Sequence, residues 1–176
     1  MFRQNWDYDP TIQCKEETIE HFVDVLETIN NLVSDGKIRY FGVSNESAWG
    51  LATWIKLSET HNLPRVVSVQ NEYSLLCRLF DTDLAELSHH ENVGLLAFSP
   101  IAAGLLSGKY QKGLIPEGSR MSIVTNLGGR VSENVFNAID CYLEIARNFN
   151  LSNNLLALSF PYAALSMPLA ILLLSS

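Results

Sequence analysis

The fold of this chain is decided by one stretch, Gly36-Lys37-Ile38-Arg39-Tyr40-Phe41-Gly42-Val43-Ser44-Asn45. It opens with a glycine that ends a helix, continues as a short apolar strand and finishes in two polar side chains. A helix followed at once by a strand with a polar end is the repeating unit of a parallel α/β barrel. The stretch therefore predicts a chain in which helices and strands alternate.

Two later segments repeat this pattern, Val66-Val67-Ser68-Val69-Gln70-Asn71-Glu72-Tyr73-Ser74-Leu75-Leu76 and Val93-Gly94-Leu95-Leu96-Ala97-Phe98-Ser99-Pro100. Each is an apolar run that ends in groups able to hydrogen bond or stack. The run in the second segment is almost purely apolar, which is typical of a strand buried on both faces.

Apolar residues at helical spacing, capping residues and breakers place the elements of the first half. In chain order they are a helix over 16–33 ended by Asp35-Gly36, a strand over 38–43, a helix from Ala48 to about His61 capped by Ser47, a strand over 66–70, a helix to His90 capped by Thr82, and a strand over 95–98. This alternation predicts parallel pairing through right-handed crossovers.

The second half begins with a connection from Ile101 to Val131 that is rich in Gly, Ser and Pro. It is too long for a simple link, which predicts a functional flap. A helix from Ser132 to about Asn148, a helix from near Ser152 and a strand over 171–174 follow. The first of these helices has one apolar face, formed by Val135, Phe136, Ile139, Leu143 and Ala146.

Leu155 to Leu174 carries no charge and reaches the length of a membrane span. Pro161 and Pro168 lie inside it, and they fit a helix end and a turn better than one continuous span. No flanking basic residues would set an orientation. The residues favour a buried helix followed by a strand, with a membrane segment as the alternative.

Composition and charge exclude several classes of protein. With 47% hydrophobic and 18% charged residues, the 176-residue chain can bury a core. Its net charge of -7, without a run of Lys or Arg, argues against nucleic-acid binding. Cys14, Cys77 and Cys141 are odd in number and far apart, which favours reduced thiols over disulfides or zinc ligands.

No metal site is predicted, because adjacent histidines such as His89 and His90 point about 100° apart on a helix. The segment Met1–Pro10 has neither an apolar signal core nor the composition of a transit peptide. A cytoplasmic location is therefore expected.

Ligands of parallel barrels bind at the carboxyl ends of the strands, which places Ser44, Asn45, Gln70, Phe98 and Ser99 around one mouth. A nicotinamide ring needs an aromatic face for stacking and donors and acceptors for its carboxamide, and this set offers both. The alternative is that Ser44-Asn45 is a turn and Gln70 an amide satisfied inside the barrel.

The segment Ser99 to Tyr110 combines small residues, which let main-chain amides approach an anion, with one basic residue, Lys109. It could hold a pyrophosphate, and Arg120 further along offers a guanidinium suited to phosphate. The alternative is an ordinary barrel loop.

Three segments, Gly36 to Asn45, Val69 to Arg78 and Leu95 to Tyr110, resemble consecutive signature segments of the aldo-keto reductase family. The likeness is strongest to the bacterial subgroup related to the potassium-channel β subunits and runs from about Phe2 to Phe160. It implies the C-terminal half of a (β/α)8 TIM barrel, with about four parallel strands alternating with helices, in a single partial domain over 1–176.

The resemblance also implies NADP(H) as the cofactor. Residues matching Ser44, Asn45 and Gln70 bind the carboxamide in that family, and the one matching Phe98 stacks on the ring. The remaining residues would contact the phosphates, with the pyrophosphate lined by Ser99, Pro100, Ile101, Ala102 and Ala103 and the charges met by Lys109 and Arg120.

The catalytic Asp, Tyr, Lys and His of the family lie on its first strands and match nothing in this chain, so no catalytic residue is predicted. Residues 161–176 are apolar where the family continues with groups that recognise the adenosine, and this end is expected to be degenerate.

The expected function is NADPH-dependent reduction of a small carbonyl substrate, an aldehyde or ketone, to an alcohol, by a truncated form with little activity alone. Unpaired strand edges predict a homodimer. The main alternative is a non-catalytic NADP-binding or regulatory interaction module, and a weaker one is a membrane tail anchor at Leu155 to Leu174.

Overall fold

The computed structural model of the chain describes residues 14–164 and 170–173, with residue 164 and 170–173 described by their backbone alone. The predictions for Met1–Pro10 and for a turn at Pro168 lie outside these residues. Among the described residues, one compact unit comprises 14–71 and 81–96, and a second comprises 72–80, 97–164 and 170–173.

Helices and strands alternate as predicted from the first helix to the third strand, after which three helices precede the last described strand. In order they are α1 (Lys15–Ser34), β1 (Phe41–Ser44), α2 (Ala48–Thr60), β2 (Val66–Glu72), α3 (Asp83–Glu91), β3 (Gly94–Phe98), α4 (Arg120–Ile123), α5 (Glu133–Asn148), α6 (Asn153–Ala164) and β4 (Ala170–Leu173). Short 3₁₀ segments lie at Leu79–Asp81, Ala102–Ser107 and Gln111–Gly113. The predicted flap therefore contains local structure of its own.

The strand β1 begins three residues later than predicted, because the end of α1 uses the residues in between. Gly36 ends that helix with a φ of +69°. The main-chain N–H groups of Lys37 and Ile38 then donate to the carbonyl of Leu32, at 2.9 and 3.4 Å. These residues are held by the helix, so an extended strand cannot begin before Phe41.

The strand order in the sheet is β1-β2-β3-β4, and β1 pairs with β2 in parallel. Ser44, the last residue of β1, lies opposite Gln70. The approach of the two strands is close at Gly42, where an added Cβ would overlap Oγ of Ser68 and lie 2.8 Å from its carbonyl oxygen. Glycine is therefore the residue that this register accepts.

The core of the first unit forms where α1 and α2 meet. Phe22 of α1 stacks on Trp54 of α2 with ring centroids 3.9 Å apart and planes 12° apart. The first unit also buries aliphatic side chains, among them Leu26, Leu51, Ile55, Val66 and Val69. The apolar stripe predicted for the first helix thus supplies the contacts that hold this unit together.

The core of the second unit lies between α5, α6 and the 3₁₀ segments. Its buried members are Ala102, Leu105, Leu106, Tyr110, Met121, Leu127, Ile139 and Ala157. Val135, Phe136 and Leu143 of α5 pack against this cluster, which confirms the predicted apolar face. Ser132 caps α5 by accepting a hydrogen bond from the Val135 N–H at 3.4 Å.

The predicted helix and strand within Leu155 to Leu174 are confirmed for the described residues, where α6 ends at Ala164 and β4 follows at 170–173. The prediction of a helix end at Pro161 is wrong, because α6 continues for three residues beyond it. Leu155 and Tyr162 are exposed, so the helix is not uniformly buried. Within the described part of the chain, no helix is long and apolar enough to cross a membrane.

We expect Leu26→Ala to lower the free energy of unfolding by about 2–5 kcal/mol, because it empties a fully buried site in the first unit. Leu155→Ala is the matched control, since this leucine also lies in a helix but is 53% exposed. It should change the free energy by less than about 0.5 kcal/mol. Urea unfolding followed by circular dichroism measures both, and equal losses would contradict the assigned core.

Candidate functional site

The eleven predicted site residues fall in both units, and each unit is described separately. In the first, Ser44, Asn45 and Gln70 form what we call the amide cluster. Oγ of Ser44 lies 3.4 Å from both the main-chain and the side-chain oxygen of Gln70. The Asn45 amide donates to Oγ of Ser44 at 3.2 Å. The three side chains are partly buried, so they are ordered by mutual contacts and still accessible to a ligand.

Asn45 has a left-handed backbone conformation, with a φ of +54°. Asparagine is among the few residues other than glycine that adopt this conformation readily. Its main-chain N–H donates to the carbonyl of Gln70 at 2.8 Å, which continues the pairing of β1 with β2 by one residue. The alternative prediction was a turn at Ser44-Asn45. This turn and the amide cluster do not exclude each other, because the left-handed backbone of Asn45 belongs to both.

Glu46 was not predicted as a site residue, although it follows the amide cluster directly and is only 5% exposed. One carboxylate oxygen accepts from the indole N–H of Trp54 at 3.0 Å, and the other from the main-chain N–H of Ser47 at 3.0 Å. A Cβ on Gly50 would overlap this carboxylate. The combination of a glutamate, a glycine four residues later and a tryptophan eight residues later was the available signal.

Asn71 was also missed, and it is 9% exposed. Its side-chain oxygen accepts from the main-chain N–H of Glu46 at 3.2 Å, and its side-chain nitrogen donates to the Glu46 carbonyl at 3.1 Å. One amide therefore satisfies both main-chain groups of the residue after Asn45. Gln70 and Asn71 are neighbours in β2, so their side chains point to opposite faces of the strand.

In the second unit, the segment after β3 contains a run of left-handed residues. Ser99, Ala102, Ala103 and Gly104 have φ values of 53°, 49°, 56° and 91°. Such conformations are unfavourable for alanine. Here they close a turn in which the main-chain N–H groups of Ala102 and Gly104 donate to the carbonyls of Ser99 and Ile101, at 2.8 and 3.0 Å. All five residues predicted to line the pyrophosphate lie in or next to this turn, which we call the phosphate turn: Ser99, Pro100, Ile101, Ala102 and Ala103.

The structure brings Lys109 to this turn. A Cβ added to Gly104 would lie 2.8 Å from Cε and 3.1 Å from Nζ of Lys109, so the ammonium group lies directly over the glycine. The ammonium is also 5.0 Å from the centre of the Tyr110 ring, within the range of a cation–π contact. A positive charge therefore lies beside this turn and favours an anion there.

Tyr110 is 1% exposed and connects two parts of the flap, a role that the sequence did not indicate. Its hydroxyl accepts from the main-chain N–H of Met121 at 3.3 Å, next to Arg120. Burial by itself raises the pKa of the Tyr110 phenol, but the hydrogen bond from Met121 and the nearby Lys109 outweigh it and lower the pKa. Arg120 is exposed, and it forms no ion pair with another described residue.

Phe98 precedes the phosphate turn, and Pro100 lies within it. Phe98 is partly buried at the end of β3, and its carbonyl accepts from the main-chain N–H of Tyr73 at 3.3 Å. Pro100 is buried. Both lie in the second unit with the phosphate turn. Among the described residues, no group of three or more His, Cys, Asp or Glu side chains could hold a metal ion.

Glu72 and Arg130 form a second feature that the sequence did not reveal, because they are 58 residues apart. Two guanidinium nitrogens donate to the two carboxylate oxygens, one of them at 2.7 Å, and a third donates to the Leu127 carbonyl at 2.6 Å. The hydrogen bond to Glu72 raises the pKa of Arg130. This bidentate pair fixes the segment after α4 to the end of β2.

With this geometry in place, comparison with known proteins identifies the family. The profile of the Aldo/keto reductase family matches residues 5–174. The chain belongs to this family. Membership confirms the predicted resemblance and the predicted α/β fold class, part of a (β/α)8 barrel.

Relatives in the family cover most of this chain but exceed it in length. Protein tas of Escherichia coli (strain K12) is 41% identical over 138 residues, which are 78% of this chain and 40% of that protein. An aldo-keto reductase of Babesia bovis is 34% identical over 64% of this chain and 42% of its own length. A candidate voltage-gated potassium channel subunit beta of Schizosaccharomyces pombe is 34% identical over 70% of this chain and 34% of its length.

The thiols of this family member should differ in reactivity. Burial and the charge of Glu72 raise the pKa of Cys77, whereas Cys14 and Cys141 are exposed. A raised pKa leaves less thiolate at a given pH, so we expect two thiols to react quickly with Ellman's reagent at pH 8 and Cys77 to react slowly.

Glu72→Gln should move the midpoint of the rate–pH profile of the slow thiol to lower pH, because it removes the negative charge. Cys77→Ser identifies the slow phase by abolishing it. An unchanged midpoint in Glu72→Gln would contradict the assigned influence of Glu72 on Cys77.

Proposed function

We propose that this chain binds NADPH and belongs to an oxidoreductase that reduces an aldehyde or ketone to an alcohol. The observation that carries the proposal is the amide cluster, in which Ser44, Asn45 and Gln70 meet at the paired ends of β1 and β2. A carboxamide presents one acceptor oxygen and two N–H donors. The cluster offers a hydroxyl and two amides, which are partners for both kinds of group.

The second unit supports the proposal through different chemistry. Its phosphate turn lies beside the Lys109 ammonium, a positive charge suited to a pyrophosphate. Phe98 is partly buried and offers an aromatic face for a nicotinamide ring. When bound, NADPH supplies the hydride that reduces the carbonyl.

In this proposal the residues of this chain bind and orient NADPH. None of them is assigned the proton transfer. The tyrosine that donates the proton in the family matches no residue of this sequence. We therefore propose that residues 1–176 by themselves bind the cofactor and turn over substrate slowly. The roles assigned to these residues involve neither a covalent intermediate nor a resident metal.

A second candidate is a regulatory module that binds NADPH without turnover. The similarity to a protein of Schizosaccharomyces pombe named for a voltage-gated potassium channel subunit favours it. The two candidates share the cofactor site and differ in catalysis. Oxidation of NADPH by a panel of aldehydes decides between them, because only the oxidoreductase is expected to turn over.

We expect Gln70→Ala to raise the Kd for NADPH about tenfold, because it removes one side of the amide cluster. Gln111→Ala is the matched control, since this partly buried glutamine donates to the Phe136 carbonyl and to Asp140 in the second unit. Its Kd should remain within about twofold of the wild type. Calorimetric titration measures both, and undetectable binding by the folded wild type would refute the proposal.

Lys109→Met should weaken NADPH binding and make it less dependent on salt, because one cation beside the phosphate turn is lost. Lys112→Met is the control, as Lys112 lies three residues away and is exposed. Titrations at about 50 and 300 mM NaCl compare the two variants. These concentrations lie on either side of about 0.1 M, where the Debye length is near 10 Å. An equal loss of salt dependence in both variants would show that the effect comes from the net charge of the chain and not from a cation at the phosphate turn.

A further inference from the structure

The left-handed backbone of Asn45 is fixed by the residues on both sides of it. On one side, Ser44 is paired with Gln70 in the sheet. On the other, both main-chain polar groups of Glu46 are bonded to the side chain of Asn71, at 3.2 and 3.1 Å. Asn45 thus lies between two points that β2 holds in place.

The side chain of Glu46 adds a third attachment, this time to α2. Its carboxylate accepts from Trp54 at the centre of the helix and from the Ser47 N–H at the helix start. A buried carboxylate without donors would cost several kcal/mol, so these bonds strongly disfavour any other position of Glu46. Gly50 leaves the space in which the carboxylate lies.

From this geometry we propose that Asn71 and Glu46 are positioning residues, which hold Asn45 in the conformation that recognises a nicotinamide carboxamide. The inference rests on the proposed function of the amide cluster and adds the residues that set its selectivity. Neither side chain needs to touch the ligand. Asn71 and Glu46 act through the backbone of the residue that follows Asn45.

A positioning role differs from a general structural role in what it predicts for ligands. Loss of the Asn71 bonds frees the backbone at 45–46, so the Asn45 amide no longer points in one direction. The binding energy that depends on the carboxamide is then lost, whereas energy from the ring and phosphates is retained. The ratio of two Kd values reports this difference, because general destabilisation changes both values together.

The experiment compares NADPH with its reduced 3-acetylpyridine analogue, in which an acetyl group replaces the carboxamide. We expect the wild-type chain to prefer NADPH about tenfold in calorimetric titrations, the factor that about 1.4 kcal/mol provides. In Asn71→Ala we expect this preference to fall to about twofold or less, with the affinity for the analogue unchanged.

Gly50→Ala provides a second variant that removes no hydrogen-bonding group. Alanine favours a helix by about 1 kcal/mol over glycine, which offsets part of the cost of moving the Glu46 carboxylate. Its Cβ would displace the Glu46 carboxylate, and we expect the same loss of preference. This variant decides the question if Asn71→Ala does not fold.

Ser58→Ala is the matched control for Asn71→Ala. Ser58 is 2% exposed and also hydrogen bonds to two main-chain oxygens of the first unit, those of Trp54 and Pro64. We expect it to keep the tenfold preference despite a similar loss of stability.

An unchanged preference in the folded variants would overturn the inference, as would a wild-type chain that binds NADPH without preferring it to the analogue. In both cases the NADPH-binding proposal survives. If the folded wild-type chain binds neither ligand, the proposed function fails and the inference fails with it.

Discussion

The parallel register of β1 on β2 is the constraint on which the candidate site depends. It places Ser44 opposite Gln70, and the next main-chain bond, from Asn45 to the Gln70 carbonyl, closes at 2.8 Å. Side chains alternate between faces along a strand, so a shift of one residue would exchange Gln70 for Asn71. The amide cluster and the attachment of Glu46 would both be lost. The close approach at Gly42 helps to exclude such a shift. A shift would bring a residue with a side chain to this place in β1, and that side chain would overlap Ser68.

Burial of Glu46 couples this register to the packing of α2. A carboxylate that is 5% exposed is tolerable only with strong donors, and Trp54 is one of them. Trp54 in turn stacks on Phe22 of α1, so the position of the carboxylate follows from the core of the first unit. The geometry of the amide cluster is therefore determined by helix packing as well as by strand pairing.

Local patterns in the sequence were sufficient for most elements and for the candidate residues. Ser47 was predicted as a cap because N-cap chemistry involves residues three positions apart, and the structure confirms its bond to the Gly50 N–H. The cap predicted at Thr82 is wrong in its chemistry, because Thr82 occupies the N-cap position of α3 without a side-chain cap hydrogen bond. The start of β1 was predicted too early, since the apolar character of Ile38 concealed its bond to the end of α1. Glu72 and Arg130, by contrast, could not be paired from sequence, because 58 residues separate them and no local periodicity connects them. From the sequence alone, Asn71 is an ordinary residue at the end of a strand. Only the strand register shows that its side chain meets the main chain of Glu46.

The phosphate turn of the second unit shows how a strained backbone can be maintained. Left-handed alanine costs of order 1 kcal/mol or more per residue, and Ala102 and Ala103 adopt this conformation in succession. Ala102 is 1% exposed and Ala103 packs against the same buried cluster, so their methyl groups contribute to the core that Leu105 and Ile139 complete. Glycine at these positions would relieve the strain but lose those contacts and gain disorder. The turn that lies beside Lys109 is thus held rigid by the apolar packing of Ala102 and Ala103 and by the main-chain bonds that Ala102 and Gly104 donate within it.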